Sequence, residues 1–151
     1  MQETAIKPML LAYCHTFADH RIASARQAMN DIQQSANQEE KSSAGDKYET
    51  GRAMMQLERD KAARQLEEGL KLKQTLSQIT DQRMNRAGLG SLVITRSKFI
   101  FLAIGIGKVK LDDVEYLIIA PQSPLGKVVA NKTVDETFVF NGESEMISKI
   151  L

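Results

Sequence analysis

The chain has 151 residues, of which 42% are apolar and 26% charged, and its formal net charge is +1. A charge so near zero excludes the broad basic field that drives nonspecific nucleic-acid binding, and the length allows one ordinary domain, or a long helical element with a small domain. The single cysteine, Cys14, excludes a disulfide framework and a Cys-x-x-Cys metal site.

No stretch of the sequence is typical of a secretory leader or a membrane span. The start, MQETAIKPMLLAYCHTF, has an early acid and only a short apolar run. The most apolar run, FIFLAIGIG, is about half the ~20 residues that a membrane-spanning helix needs. We therefore expect a cytoplasmic protein without membrane contact.

A first long helix is predicted in the N-terminal part. Apolar residues spaced 4, 3, 4, 3 and 4 apart form a narrow stripe of the kind that packs on one partner helix. The members of this stripe are Ala18, Ile22, Ala25, Met29, Ile32 and Ala36. Pro8 suits the first turn of this helix, and about 28 helical residues would extend roughly 42 Å.

A cluster of acids follows the first helix, in the stretch EEKSSAGDKYETGRAMM. Asp46 and Glu49 are three residues apart, so they would share a face of the first turn of a second helix. One interpretation is a helix start, with Asp46 as N-cap and Glu49 as the capping-box acid. The other is a pair of oxygen ligands for Mg²⁺, which commonly takes one or two carboxylates and keeps its waters; Glu39 and Glu40 are the fallback candidates.

A second helix is predicted from about Lys47 to Arg86. Its stripe slips between Leu66 and Leu72, and Gly51 and Gly69 are expected to weaken it locally. The members of this stripe are Met55, Ala62, Leu66, Leu72, Leu76 and Ile79. Two such helices joined by a short polar loop predict an antiparallel coiled-coil hairpin over residues 1–86.

Residues 87–151 are rich in Val, Ile, Phe and Thr and predict a small β-rich domain of four or five strands. The nearly all-apolar segment KFIFLAIG is expected to be a central strand, and SPLGKVVANK a short helix with Ser123 as N-cap and Pro124 at its first position. The predicted strands are SLVITR, KFIFLAIG, VEYLIIA after a turn at LDD, and TFVFN before the closing ESEMISKIL. The fold class is therefore α+β.

Two parts of the sequence resemble the bacterial Gre-type transcript elongation factors. The Gly45-Asp46-x-x-Glu49 stretch matches the Gly-Asp-x-x-Glu at the tip of that family's coiled coil. SPLGKVVANKTVDETFVF, residues 123–140, is similar to the family's Ser-Pro-aliphatic segment, short helix, Gly-Lys turn and Asp-Glu before a final strand pair. The layout of a helical hairpin followed by a domain related in fold to FK506-binding proteins extends the resemblance over nearly the entire chain.

This resemblance implies a function in transcription. The coiled coil would enter the secondary channel of RNA polymerase, where Asp46 and Glu49 would help to hold a Mg²⁺ shared with the polymerase, and the polymerase itself would cleave backtracked RNA. The protein would be a monomer with no cofactor of its own, and it would meet DNA and RNA only through the polymerase. The resemblance also implies residues that contact the polymerase: Ser42, Ser43, Tyr48 and Arg52 at the tip, and Ser123, Pro124 and Leu125 in the C-terminal domain.

The sequence departs from the family directly after Glu49. The family continues with Asn, Ala, Glu, Tyr and His, whereas this chain continues with TGRAMM, and an alternative register sets Tyr48 and Arg52 on the family's Tyr and Arg. Relatives with altered tips inhibit or otherwise regulate the polymerase. A regulator or inhibitor without cleavage stimulation therefore remains the alternative.

Three further interpretations come from other classes of protein. Cys14 with His15 or His20 would be a nucleophile and base, but no third group or oxyanion loop accompanies them. A prolyl isomerase or chaperone would need an aromatic-lined pocket, whereas the aromatic residues at alternating strand positions are typical of a core. A coiled-coil dimerisation module would pair the helical stripe with a second copy, and Lys108 and Lys110 are expected on a solvated strand face. The aromatic residues concerned are Phe99, Phe101, Tyr116, Phe138 and Phe140.

Overall fold

The computed structural model describes the backbone of residues 2–42 and 45–151, and the side chains of residues 2–38 and 51–151. Its fold class is α+β, as predicted: two long helices precede a six-stranded mixed sheet with one short helix. The elements are α1 (Glu3–Ser42), α2 (Gly45–Ser77), β1 (Leu92–Thr95), β2 (Phe99–Leu102), β3 (Gly107–Leu111), β4 (Val114–Ile119), α3 (Pro124–Val129), β5 (Thr137–Phe140) and β6 (Glu143–Ile150).

The chain divides into two compact units, which we call the helical unit and the sheet unit. The helical unit is residues 16–73, and the sheet unit combines residues 1–15 with residues 74–151. The composition change after Arg86, where we expect the domain boundary, lies inside the sheet unit. Among the described residues, no helix combines the length and the apolar character that crossing a membrane requires.

Within the helical unit, α1 and α2 form an antiparallel pair. Asp19 on α1 forms an ion pair with Lys73 on α2 at 3.0 Å, and Arg59 Nη2 donates to Gln33 Oε1 at 3.3 Å. The residue numbers in each pair add up to the same value, as two helices that run in opposite directions require. The chain therefore reverses direction between the two helices, of which α1 ends at Ser42 and α2 begins at Gly45; we call this reversal the bend.

The stripe predicted on α1 lies in the contact between the two helices. Ala18 and Ala25 are buried, and the stripe continues with partly buried residues as far as Ala36. On α2 the stripe of buried positions continues without the predicted slip. Gly69 is buried and fills the place in the stripe between the partly buried Leu66 and Leu72. Gly69, which we expect to weaken the helix locally, packs against Ile22 of α1.

Both long helices differ from their predicted limits. α1 begins at Glu3, so Pro8 lies inside the helix and not in its first turn. The helix persists through the proline because Leu10 and Cys14 are fully buried in the sheet unit, and such tertiary burial overrides local propensity. α2 ends at Ser77 and not near Arg86. After the helix, the Gln82 carbonyl accepts a hydrogen bond from Lys7 Nζ and the Ala87 carbonyl accepts one from Asn131 N.

The sheet has the strand order β3-β4-β2-β1-β6-β5. It has six strands, whereas the sequence predicts four or five. β2 pairs in parallel with β4, and the other neighbours are antiparallel. β2 lies inside the sheet, as its apolar sequence predicts, and β3 and β5 form the two edges. Lys108 and Lys110 are exposed on β3, which confirms the solvated strand face expected for them.

Two tight hairpins fix the strand pairing at both edges. Asp112 and Asp113 between β3 and β4 have positive φ of 49° and 64°, and Asn141 and Gly142 between β5 and β6 have 52° and 79°. Two successive residues with positive φ match a type I′ turn, whose twist suits the flanking strands. The turn predicted at LDD is confirmed, and the Asn-Gly pair sets the register of the last hairpin.

The core of the sheet unit lies between the sheet and α3. Leu125 and Val129 of α3 pack there with residues of β1, β2, β5 and β6. The buried members are Ala87, Val93, Ile100, Leu102, Leu125, Val129, Phe138, Ile147 and Ile150. This apolar cluster holds α3 in place and thereby positions the loop that precedes it.

Candidate functional site

The predicted acidic site lies at the bend between α1 and α2. The backbone of α2 begins at Gly45, so Asp46 lies inside the first turn and not at the N-cap that the capping interpretation assigned to it. The side chains of Asp46 and Glu49 lie outside the described residues. Four other predicted site residues likewise have a described backbone but no described side chain: Glu39, Glu40, Ser42 and Tyr48. Ser43 lies wholly outside the described residues.

Arg52 is the one predicted tip residue whose side chain is described, and it is exposed on α2. Two apolar residues follow it on the same helix: Met54 is 59% exposed and Leu57 is 67% exposed. They are three residues apart and so lie on one face of the helix. The part of α2 next to the bend thus presents a cationic residue and an exposed apolar pair.

The predicted docking segment of the sheet unit is the start of α3. Ser123 is the N-cap, as predicted: its Oγ accepts a hydrogen bond from Gly126 N at 3.1 Å and donates one to Ala120 O at 2.6 Å. Pro124 is exposed, whereas Leu125 is 6% exposed and packs in the core. Of these three residues only Pro124 is exposed, and the Ser123 hydroxyl holds the loop.

Gly126 explains why this loop can lie so close to α3. A Cβ at this position would come within 2.4 Å of Ala120 O and 2.6 Å of Pro121 O. Glycine is thus required by close backbone approach and not by an unusual backbone angle. The Gly126-Lys127 pair, which the resemblance placed in a turn, lies inside α3.

A polar cluster that sequence reasoning missed joins the β1–β2 hairpin to β6. Lys98 Nζ donates to Glu145 Oε2 at 2.8 Å, Thr95 Oγ1 donates to Glu145 Oε1 at 3.0 Å, and Ser97 Oγ donates to the same oxygen. The Glu145 side chain is only 11% exposed. Burial opposes its ionisation, but the hydrogen bonds from Lys98, Ser97 and Thr95 outweigh burial and hold the pKa of Glu145 below its ordinary value. No sequence signal points to this cluster, because its members are nearly 50 residues apart.

Replacing Glu145 with glutamine should destabilise the protein by about 2 kcal/mol at neutral pH, because its charge-assisted hydrogen bonds weaken while Thr95, one of its donors, stays buried. A lowered pKa means that the carboxylate stabilises the fold fully above its ordinary value of 4.5 and less as pH falls through the folded-state pKa. Urea denaturation at a series of pH values should therefore show the wild type and Glu145→Gln converging in acid. A difference in stability that stays constant into acid would contradict the assignment.

A second buried polar contact lies near the start of α1. Lys7 is 4% exposed, and its Nζ donates to Gln82 O at 2.6 Å. Burial lowers the pKa of Lys7, and the carboxylate of Asp81 partly opposes that lowering. Nearby, Lys149 of β6 forms an ion pair with Glu3. These contacts tie the first turns of α1 to the segment after α2 and to β6.

Cys14 does not have the environment of a nucleophile. It is fully buried, and burial raises the pKa of its thiol to about 12. The nucleophile is the thiolate, which such a pKa keeps scarce. The geometry therefore gives no support to an enzyme that uses Cys14 with His15 or His20.

We expect Cys14 to react with a thiol reagent at least about a hundredfold more slowly in the folded protein than in urea, because both burial and the raised pKa withhold the thiolate. Stopped-flow absorbance with an aromatic disulfide reagent measures both rates. Comparable rates in the two states would show that the thiol is accessible.

Three of the five aromatic residues considered for an isomerase pocket are buried, whereas Phe99 and Phe140 are partly buried. Phe101, Tyr116 and Phe138 are all at most 4% exposed, and the rings of Phe99 and Tyr116 meet edge to face with centroids 5.5 Å apart. These contacts are those of a packed core.

Among the side chains that the structure describes, no three of His, Cys, Asp and Glu are grouped so that they could hold a metal ion. The predicted carboxylate pair, Asp46 and Glu49, lies outside that set. Comparison of the sequence with protein-family models gives no match, and comparison with curated proteins gives none either.

Proposed function

We propose that this protein is a Gre-type elongation factor that binds RNA polymerase through its helical pair and stimulates cleavage of backtracked RNA. The observation that carries the proposal is the antiparallel α1–α2 pair, whose bend falls immediately before the Asp46-x-x-Glu49 motif. A six-stranded sheet unit with α3 follows, in the order that the resemblance predicts. Asp135 and Glu136 precede the final strand pair β5–β6, which also agrees with it.

The dimensions of the helical unit suit insertion into a narrow channel. From residue 16 to residue 42, α1 extends about 40 Å at the usual rise of about 1.5 Å per residue. The contact between the helices uses small residues such as Ala18, Ala25 and Gly69, so the pair is thin where they meet. A thin pair of this length could carry carboxylates at its bend into a deep cleft of a partner.

The chemistry of the proposed pair fits Mg²⁺. Carboxylate oxygens are the hard ligands that Mg²⁺ takes, usually one or two at a time with water in the remaining positions. When bound, the ion would activate water for attack on the phosphodiester. Asp46 and Glu49 would each contribute one carboxylate, and the polymerase would supply the remaining ligands and the active site.

The test is RNA cleavage in stalled, backtracked complexes of the polymerase from the same cell. The wild type should accelerate cleavage, and Asp46→Ala with Glu49→Ala should reduce that acceleration at least about a hundredfold, as expected when ligands of a catalytic ion are removed. A matched control replaces Glu58 and Glu68, two exposed acids elsewhere on α2, with alanine and should cleave like the wild type. Equal cleavage by the wild type and the Asp46/Glu49 variant would remove these two acids from the mechanism.

The second candidate function is regulation or inhibition of the polymerase without cleavage. It is favoured by the sequence after Glu49, where exposed Arg52 and Met54 stand in place of the family's continuation. This candidate predicts that wild type and both variants bind backtracked complexes and leave the RNA intact. The same assay therefore separates the two functions.

A further inference from the structure

The two edges of the sheet differ in how they are protected against pairing with another strand. On β3, the exposed side chains are Lys108 and Lys110, and lysine on an edge strand discourages the approach of another strand. On β5, residues 137–140 are Thr-Phe-Val-Phe, with no charge, no proline and no bulge within the strand. The β5 edge therefore lacks the protection that the β3 edge has.

The outer side of β5 offers backbone groups for hydrogen bonding. Ile147 N donates to Glu136 O at 2.9 Å, so along the hairpin the residues that exchange hydrogen bonds with β6 alternate from Glu136 through Phe138 to Phe140. The N–H and C=O of Thr137 and Val139 must then point away from β6. Among the described residues, no backbone group accepts or donates on that side.

Exposed apolar side chains gather beside this edge. The large hydrophobic residues of the sheet unit that are exposed, among those with described side chains, are Val134 at 42%, Val139 at 62% and Met146 at 52%. Thr137 is opposite Met146 and Val139 is opposite Ser144, so Val139 and Met146 are diagonal neighbours on one face. An added strand would cover Val139 and extend this face.

The charges around the edge indicate what kind of segment it would take. Asp135 and Glu136 precede β5 and Glu143 follows it, and all three are exposed. Three basic groups lie among these acids: Lys98 forms ion pairs with Glu143 at 3.8 Å and with Glu145 at 2.8 Å, and Lys132 and Arg86 lie within electrostatic reach of Glu136. The four acids, counting Glu145, outnumber these three basic groups, so the uncharged edge is bracketed by a net excess of acids.

We propose that the outer edge of β5 binds an extended segment of a partner protein as a seventh strand, and that Lys or Arg residues in this segment bracket a short uncharged stretch of β-forming residues. Main-chain hydrogen bonds to Thr137 and Val139 supply affinity, and the flanking acids supply selectivity. A second copy of this chain fits less well, because in antiparallel β5–β5 pairing Asp135 and Glu136 of one copy approach Glu143 of the other. This site is independent of the acids at the bend.

The probe is a synthetic octapeptide with two lysines at each end and an alternating Val-Thr core, blocked at both termini. In amide NMR titrations it should shift signals from residues 134–147 and slow the hydrogen exchange of Thr137 and Val139, and added salt should weaken its binding. A matched peptide with glutamate in place of lysine should bind at least about tenfold more weakly. Equal binding of the two peptides, shifts elsewhere, or no shifts would overturn the proposal.

Variants at Val139 test the geometry of the edge. Val139→Pro removes an N–H that faces away from β6, a position where an edge strand tolerates proline, and should weaken the lysine peptide about tenfold. Val139→Thr keeps the N–H and should bind within a few-fold of the wild type. Val139→Lys, which copies the protection seen on β3, should weaken binding as well and serves if the proline variant does not fold. A wild-type dimer that these variants dissociate in sedimentation would assign the edge to a second copy and overturn the proposal.

Discussion

Replacing Gly126 with alanine is expected to destabilise the sheet unit by roughly 3 kcal/mol, the upper end of what overpacking costs. The new Cβ would lie 2.4 Å from Ala120 O and 2.6 Å from Pro121 O. Both contacts are with backbone, so no side chain can rotate to relieve them, and α3 has to move away from the loop. Because Leu125 and Val129 of α3 belong to the core, that movement also loosens the apolar packing.

Urea denaturation measures this effect, with amide NMR signals of β2 reporting the unfolding of the sheet unit. Gly105→Ala is the matched control, because a Cβ at that exposed position meets nothing within 4 Å, and its effect should stay within about 0.5 kcal/mol. A Gly126→Ala variant as stable as the Gly105→Ala variant would show that the loop does not lie against α3.

Replacing Gly69 with alanine should destabilise the helical unit by up to about 2 kcal/mol, although alanine is the better helix former. The new Cβ would lie 2.7 Å from Ile22 Cγ1 and 3.4 Å from Ile22 N. Overpacking costs about 1–3 kcal/mol, and the gain in helix propensity of about 1 kcal/mol offsets only part of it. The helices must separate or Ile22 must leave its position.

A double-mutant cycle identifies the contact. Ile22→Ala alone opens a gap in the contact between α1 and α2. In the double variant, the methyl group added at position 69 fills part of that gap. We expect the double variant to be more stable than the sum of the single losses predicts, by at least about 1 kcal/mol. Urea unfolding followed by far-ultraviolet circular dichroism, to which α1 and α2 contribute most of the signal, measures all four proteins. Strictly additive losses would contradict a direct contact between the two residues.

The α+β class and the paired helices could be predicted because each depends on a repeating pattern. The stripe from Ala18 to Ala36 repeats over many turns, and one partner helix is enough to bury it. The limits of the helices could not be predicted in the same way. Pro8 indicates a first turn by local rules, but burial of Leu10 and Cys14 carries the helix past it. The end of α2 depends on contacts with residues far away in sequence, such as Lys7 with Gln82.

In the sheet unit, short-range sequence signals predict the start of α3 and the turns between strands. Ser123 and Pro124 correctly predicted the start of α3, and LDD correctly predicted a turn. Asn141-Gly142 is a strong hairpin signal that would have placed β5 beside β6. The cluster around Glu145 had no such signal, since only the pairing of β1 with β6 brings Glu145 to Lys98.

The proposed site is assigned by a short motif and its place in the chain, and no repeating sequence pattern supports it. Asp46 and Glu49 are assigned by their resemblance to a tip motif, and their role in binding Mg²⁺ remains a prediction. Two residues of the assigned docking segment have structural roles, since Leu125 packs in the core and Ser123 caps α3. Any docking through this segment would therefore use Pro124 and the surrounding surface.

The central claim is that the bend of the helical pair reaches the active centre of RNA polymerase. An iron chelate attached to Ser43→Cys tests it directly, because buried Cys14 does not compete for the reagent. Hydroxyl radicals generated in a backtracked complex should cut the RNA close to the polymerase active site. The same chelate attached to Lys108→Cys on β3 should leave that RNA uncut. Binding of the Ser43→Cys conjugate to the complex without any cut in the RNA would contradict the claim.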